Sequence, residues 1–302
     1  MTTRSSPESR PGPAGRAGPG VDLHVAIRLA AARLAEAGVP SPRADAELLA
    51  AHLLGVGRGR VVALALGGAG VPEGYDDLVA ERCRRVPLQH LTGTAHFRHL
   101  ELAVGPGVFV PRPETETLAQ LAIDHARIVL AQTGQAKVVD LGTGSGAIAA
   151  AVASEVPGST VYAVELSDLA RAWAERNLAP HGVVLLAGDL RTALADHDGS
   201  FDVVVSNPPY IPADAVPNEP EARDHDPRLA LYGGGADGME LPAAVERAAA
   251  RLLRPGGFAA MEHAEVQAGA VAALFDSTGC WDAIAGHQDL TGRDRATSAV
   301  RR

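Results

Sequence analysis

Beyond Lys137 the chain alternates short apolar runs with stretches of helical spacing, and this constrains the fold more than any other feature. The apolar runs lie at 138–141, 161–164, 183–186, 201–205 and 258–261. Helical segments at 146–155, 169–178 and 241–253 separate them, and another follows at 266–275. Parallel strands need long crossovers, which helices supply. The pattern therefore predicts an α/β fold, a doubly wound parallel sheet of Rossmann-like type with helices on both faces. Ligands of such sheets bind beyond the carboxyl ends of the strands, so the residues that close each run are the ones to read for chemistry.

The first run closes in Asp140-Leu141-Gly142-Thr143-Gly144-Ser145-Gly146-Ala147. Glycines let the backbone turn sharply and approach a ligand closely, and the following helix presents its N-terminal amides. The spacing of Gly142, Gly144 and Ala147 also fits the dinucleotide fingerprint. Glu165 closes the second run, roughly twenty residues after the glycines, where a carboxylate accepts both hydroxyls of a ribose. That arrangement serves a nicotinamide cofactor and S-adenosylmethionine equally.

The fourth run closes in Ser206-Asn207-Pro208-Pro209-Tyr210, on the rim that carries the glycine loop and Glu165. Nicotinamide enzymes have no chemical use for this sequence there. A planar amide or amino nitrogen is a weak nucleophile, yet two acceptors grip its two N–H groups. The Asn207 side-chain oxygen supplies one acceptor. The Pro208 carbonyl, on a backbone stiffened by two rings, supplies the other. Tyr210 is placed to stack on the flat acceptor, and holding the nitrogen in line with a methyl donor is catalysis by positioning. The same residues also fit plainer roles: a structural glycine turn, a solvated glutamate at a strand end, and a rigid proline turn.

The rest of the chain frames this rim. Residues 1–20 are rich in Pro, Gly, Ser and Arg with scarcely an apolar side chain, a composition that predicts a disordered tail. Helical spacing then takes over. Leu23, Ile27, Ala30 and Leu34 recur at threes and fours, as do Ala46, Leu49, Ala50 and Leu53 after Ser41-Pro42, and a third helix is expected over 75–85. The domains read as a helical unit at 21–94, a hairpin linker at 95–112, whose stretch around Gly105-Pro106-Gly107 reads as a β-hairpin or extended connector, and a catalytic domain at 113–302, whose first helix runs to about residue 132. The two cysteines, Cys83 and Cys280, lack metal-ligand spacing, and no metal site is expected. A net charge of −9 over 302 residues weighs against a broad nucleic-acid surface, which depends on Lys and Arg. No apolar run approaches the length of a membrane helix and no secretory core is present, so a cytoplasmic protein is expected.

With its upstream glycine loop, the Asn-Pro-Pro-Tyr motif resembles the amino-methyltransferases that use S-adenosylmethionine. Further stretches narrow the resemblance: 86–93 (VPLQHLTG), 108–116 (VFVPRPETE), Glu219-Pro220, 230–234 (ALYGG), 236–238 (ADG) and 289–295 (DLTGRDR). Together they resemble the PrmC/HemK family, the glutamine methyltransferases of peptide-chain release factors, over about residues 25–300. The resemblance implies that Gly142, Thr143, Gly144, Ser145 and Gly146 cradle the methionine part of S-adenosyl-L-methionine. It implies that Glu165 binds the ribose, that Asp189 and Leu190 lie beside the adenine, and that Asn207 borders the cofactor. Leu190 stands where relatives often carry an aromatic residue, so an aliphatic contact replaces stacking. The resemblance implies further that Asn207, Pro208, Pro209 and Tyr210 hold the glutamine, with Asn207, Pro208 and Tyr210 as the catalytic set. By the same resemblance Phe109, Arg112 and Glu114 are expected to complete the wall, and the helical domain to help dock a class I release factor. Rival expectations are a glutamine methyltransferase of a ribosomal protein, an amino-methyltransferase of nucleic acid, an NAD-binding oxidoreductase and an inactive scaffold.

Overall fold

The computed structural model describes residues 22–302; the disordered tail expected over residues 1–20 lies outside the described residues. The chain forms two compact units, one ending at Arg84 and the other spanning Arg85–Arg302.

The first unit is helical, with helices Leu23–Glu36, Pro42–Leu54, Arg58–Leu66 and Tyr75–Cys83. Pro42 occupies the first turn of its helix, where a missing N–H costs nothing, and Gly55 ends that helix in the left-handed conformation at φ 62°. Leu23, Ile27, Ala30, Leu34, Ala46, Leu49 and Ala50 are buried as their spacing requires, while Leu53 is half-buried. A buried Arg82–Asp45 ion pair at 2.8 Å and a Tyr75 hydroxyl donating to the Ala46 carbonyl tie the helices together. Arg58–Leu66 was not foreseen, because its apolar residues are crowded rather than spaced.

The second unit opens with the short helix Leu88–Thr92 and a hairpin of β1 (Thr94–Phe97) and β2 (Leu100–Ala103). The hairpin expected around Gly105-Pro106-Gly107 thus turns earlier, at Arg98 and His99. Arg98 takes a positive φ of 54° there. Its amide donates to Glu116 at 2.8 Å and its guanidinium pairs with Glu155, contacts that offset the backbone strain. Gly105 serves packing instead: a Cβ on it would lie 2.5 Å from the Trp173 ring.

Helix Thr115–Thr133 leads into a seven-stranded sheet. Its strands are β3 (Ala136–Leu141), β4 (Ser159–Glu165), β5 (Val184–Ala187), β6 (Phe201–Ser206), β7 (Leu253–Glu262), β8 (Trp281–Gln288) and β9 (Asp294–Arg301). Their order is β5-β4-β3-β6-β7-β9-β8, parallel from β5 to β7. Each of the five apolar runs became a strand. The last two strands were not foreseen: β9 pairs antiparallel with both β7 and β8, which makes the sheet mixed. In β8 most outward residues are exposed, so no continuous apolar run advertises it. Apolar clusters cover both faces, one built on Leu118, Ile123 and Val152, the other on Phe201, Leu252, Phe275 and Trp281. The chain winds from β3 toward β5 on one side and through β6 and β7 on the other. A crevice therefore opens at the carboxyl ends of β3 and β6.

Candidate active site

The two central strands are stitched together at that crevice. The buried Ser206 hydroxyl at the end of β6 donates to the Leu141 carbonyl at the end of β3, at 2.6 Å. Beyond β3 the backbone turns at once, and the amides of Gly142 and Thr143 both donate to the Val164 carbonyl of β4, at 2.9 and 3.0 Å. Gly142 and Gly144 lie in the left-handed region at φ 74° and 58°, and a Cβ built on either meets nothing within 4 Å. The loop thus presents bare backbone to open space. Gly146 does something else: it caps helix Ala147–Glu155, and a Cβ there would lie 2.9 Å from Leu178.

Carboxylates support the loop from below and beside. The Thr143 hydroxyl donates to Asp140 at 2.6 Å, leaving the other Asp140 oxygen buried and without a partner among the described residues. Burial pushes Asp140 up to about 7 against the Thr143 hydrogen bond, and the Glu165 charge adds to the rise. A group whose folded value exceeds its ordinary one stabilises the fold only while protonated, so its contribution falls as pH rises from about 4 through 7. We expect the stability gap between Asp140→Asn and the parent, measured by denaturant titration, to shift toward the variant by up to about 3 kcal/mol from pH 5 to pH 8. A gap that does not change with pH would mean that Asp140 is already ionised at pH 5.

Glu165 closes β4 with its two oxygens accepting from the amides of Gly144 and Ser167, each at 2.8 Å. Burial raises its pKa, opposed by those amides. After β5, Asp189 accepts from the backbone and guanidinium of Arg191 at 2.9 Å. Burial pushes Asp189 up, but Arg191 outweighs it and holds the carboxyl below its usual range.

After β6 comes Asn207, whose side-chain nitrogen donates to the Thr115 hydroxyl at 3.2 Å. The backbone beyond is held from three sides. Ile211 exchanges hydrogen bonds with Leu231 and Gly233 at 2.9 Å. The Gln267 amide donates to the carbonyls of Tyr210 and Asp237, each at 2.9 Å. Gly233 lies so close that a Cβ on it would fall 2.7 Å from the Pro209 carbonyl. Burial pushes the Tyr210 phenol well above its ordinary value, so it stays neutral.

One cavity of about 320 Å³ gathers these parts. Gly142, Thr143, Gly144, Ser145, Glu165, Asp189 and Leu190 line it together with Asn207, Pro208, Pro209 and Tyr210, and with Phe109, Arg112 and Glu114. Of the residues singled out in the sequence, Gly146 is the one absent from the lining. Arg112 is already engaged: it pairs with Asp226 at 3.1 Å and Glu219 at 3.7 Å, and its guanidinium lies 5.0 Å from the Phe109 ring centroid. It thereby ties down residues 219–231, several of which also line the cavity. Asp226 and Gln267 carried no signal in the sequence. Thr115 and Glu262 did: one opens the helix after the proline-rich segment, the other closes β7 on the same rim.

Fold and cavity define a methyltransferase of the Rossmann-like class, and comparison with known proteins agrees. The family model described as the PrmC N-terminal domain matches residues 26–93, and the methyltransferase small domain matches residues 112–219. A release factor glutamine methyltransferase of Streptomyces coelicolor is 52% identical over 90% of this chain and 96% of its own length. One from Mycolicibacterium smegmatis is 46% identical over 92% of this chain and 98% of its own. The chain belongs to the release factor glutamine methyltransferase family. A 4-amino-L-phenylalanine/4-methylamino-L-phenylalanine methyltransferase of Streptomyces pristinaespiralis is also similar, at 38% identity over 92% of this chain and 95% of that protein.

Proposed function

We propose that this enzyme transfers a methyl group from S-adenosylmethionine to the side-chain nitrogen of the glutamine in the Gly-Gly-Gln loop of a class I peptide-chain release factor. The carrying observation is that a bare glycine backbone, Glu165 and the Asn207-Pro208 pair face one cavity. The open space before Gly142 and Gly144, which a side chain would fill, fits a cofactor that must approach the backbone. Gly142 to Ser145 would hold its methionine portion, Glu165 its ribose hydroxyls, and Asp189 and Leu190 its adenine. When bound, S-adenosylmethionine supplies an electrophilic methyl group on a sulfonium.

The protein's own work is positioning. The Asn207 side-chain oxygen accepts one N–H of the glutamine amide, the Pro208 carbonyl accepts the other, and Tyr210 covers the flat face. No general base is needed beforehand, because the nitrogen becomes acidic only as it gains a methyl group. Its surplus proton then leaves to the Asn207 oxygen, the Pro208 carbonyl or water. The helical unit of residues 22–84 serves docking of the release factor, and the setting is the cytoplasm. No single helix among the described residues is long and apolar enough to cross a membrane.

The test is mass spectrometry of unmethylated release factor after incubation with the enzyme and S-adenosylmethionine. A gain of one methyl on the Gly-Gly-Gln glutamine is expected. Cofactor binding without that gain would transfer the search to ribosomal protein, nucleic acid or small arylamines. The net charge of −9 makes a nucleic-acid acceptor the least favoured of these.

A further inference from the structure

Asn207 can grip an acceptor N–H only if the oxygen of its amide faces the cavity and the nitrogen faces away. An amide's shape does not decide this, since its two ends are nearly the same size. The groups beside it must, and two buried ones stand there, Thr115 in the cavity wall itself and Glu262 outside it. The Thr115 hydroxyl, on a residue 5% exposed, accepts from the Asn207 nitrogen at 3.2 Å. Glu262, 1% exposed, is the last residue of β7. The register pairs Ser206 with Met261, so one step further along both chains sets Glu262 beside Asn207. One Glu262 oxygen is buried without a hydrogen-bond partner among the described residues.

An amide NH2 carries two protons and wants two acceptors. We propose that Thr115 and Glu262 are positioning residues that supply those acceptors, and so fix the Asn207 amide with its oxygen toward the acceptor nitrogen. The inference rests on the methyl-transfer reading above. Burial raises Glu262 to about 7, while Thr115, Asn207 and the charge of Arg295 favour its ionised form and Glu114 opposes it. Assays at pH 8.5 therefore examine it as the carboxylate, the form with acceptors only.

Thr115→Val keeps the shape and removes the hydroxyl. At pH 8.5 it is expected to lower kcat on release factor by about tenfold or more, with KM and cofactor affinity within about threefold of the parent. Thr115→Ser should recover most of the loss, because it returns the acceptor. A readout that needs no turnover is the pair of Asn207 side-chain N–H signals in the NMR spectrum: slowly exchanging in the parent, shifted and fast-exchanging in Thr115→Val. A kcat within twofold of the parent, unchanged Asn207 signals, or a parallel loss of cofactor affinity would each overturn the assignment. If Thr115→Val fails to fold, Glu262→Met, which removes the acceptor at similar length, replaces it, with the same kcat loss and signal change expected. If the parent itself leaves release factor unmodified, the methyl-transfer reading falls, and the NMR comparison still decides the orientation of Asn207.

Discussion

Asn207→Ala is expected to lower turnover at least about 100-fold while cofactor affinity stays within about threefold of the parent. The size follows from what is lost. Orienting a weak nucleophile contributes several kcal/mol to a reaction with no covalent or acid–base step to share the work, and a misplacement of about 1 Å costs about 100-fold. On the proposed reading, alanine removes one of the two acceptors that grip the amide and leaves the Pro208 carbonyl alone, so the nitrogen can rotate about its remaining hydrogen bond. The selectivity follows from the topology. Asn207 stands at the end of β6, whereas the glycine loop, Glu165 and Asp189 follow β3, β4 and β5. Ser206, which stitches β6 to β3, is untouched by the change. Single-turnover rates on release factor and calorimetry with S-adenosylmethionine separate the two effects. Loss of both in parallel would mean that Asn207 is chiefly a cofactor ligand, and the proposed division of labour would fail.

The site was legible because the fold gathers strand ends on one rim. Each chemistry-bearing stretch follows a run of buried apolar residues, and a parallel sheet brings such ends together without any further information. The glycine loop, Glu165 and Asn207-Pro208-Pro209-Tyr210 therefore became neighbours as soon as the alternation was read. What escaped depends on side chains meeting across long sequence separations. Gln267 holds the Tyr210 carbonyl from a short helical turn after β7, and nothing in Glu265-Val266-Gln267-Ala268 says so. Asp226 meets Arg112 across 114 positions. The C-terminal hairpin was missed for a different reason. Its strand β8 is an edge with little to bury, so it lacks the apolar signature that betrayed the central strands. The linker hairpin was misplaced because the Gly-Pro-Gly segment does turn, with the Val108 amide donating to the Gly105 carbonyl at 3.4 Å, but that turn joins no paired strands, and Gly105 also makes room for Trp173.

The glycine-rich stretch at 233–238 read only as a family signature, and its physical purpose predicts the second large effect. A methyl group on Gly233 would lie 2.1 Å from the Gly238 carbonyl, 2.7 Å from the Pro209 carbonyl and 2.8 Å from the Tyr210 Cα. All three are backbone atoms, so no side chain can swing aside, and the segment that carries Pro209 and Tyr210 must shift. Overpacking of this kind costs about 1–3 kcal/mol, occasionally more, and the shift falls on the residues that aim the Pro208 carbonyl. Gly233→Ala is thus expected to lose about 3 kcal/mol of stability and at least about tenfold in kcat/KM. Gly279→Ala is the natural control. Gly279 has a positive φ of 66° with nothing within 4 Å of the new Cβ. It should lose only the left-handed backbone penalty of about 1–2 kcal/mol and keep full activity, since it lies outside the cavity lining. Denaturant midpoints and steady-state kinetics on the two variants decide the matter. If Gly233→Ala keeps parental kcat/KM, the loop is not what holds the Asn-Pro-Pro-Tyr backbone in place, and the geometry of the Pro208 carbonyl is set by its two proline rings and by Gln267 alone.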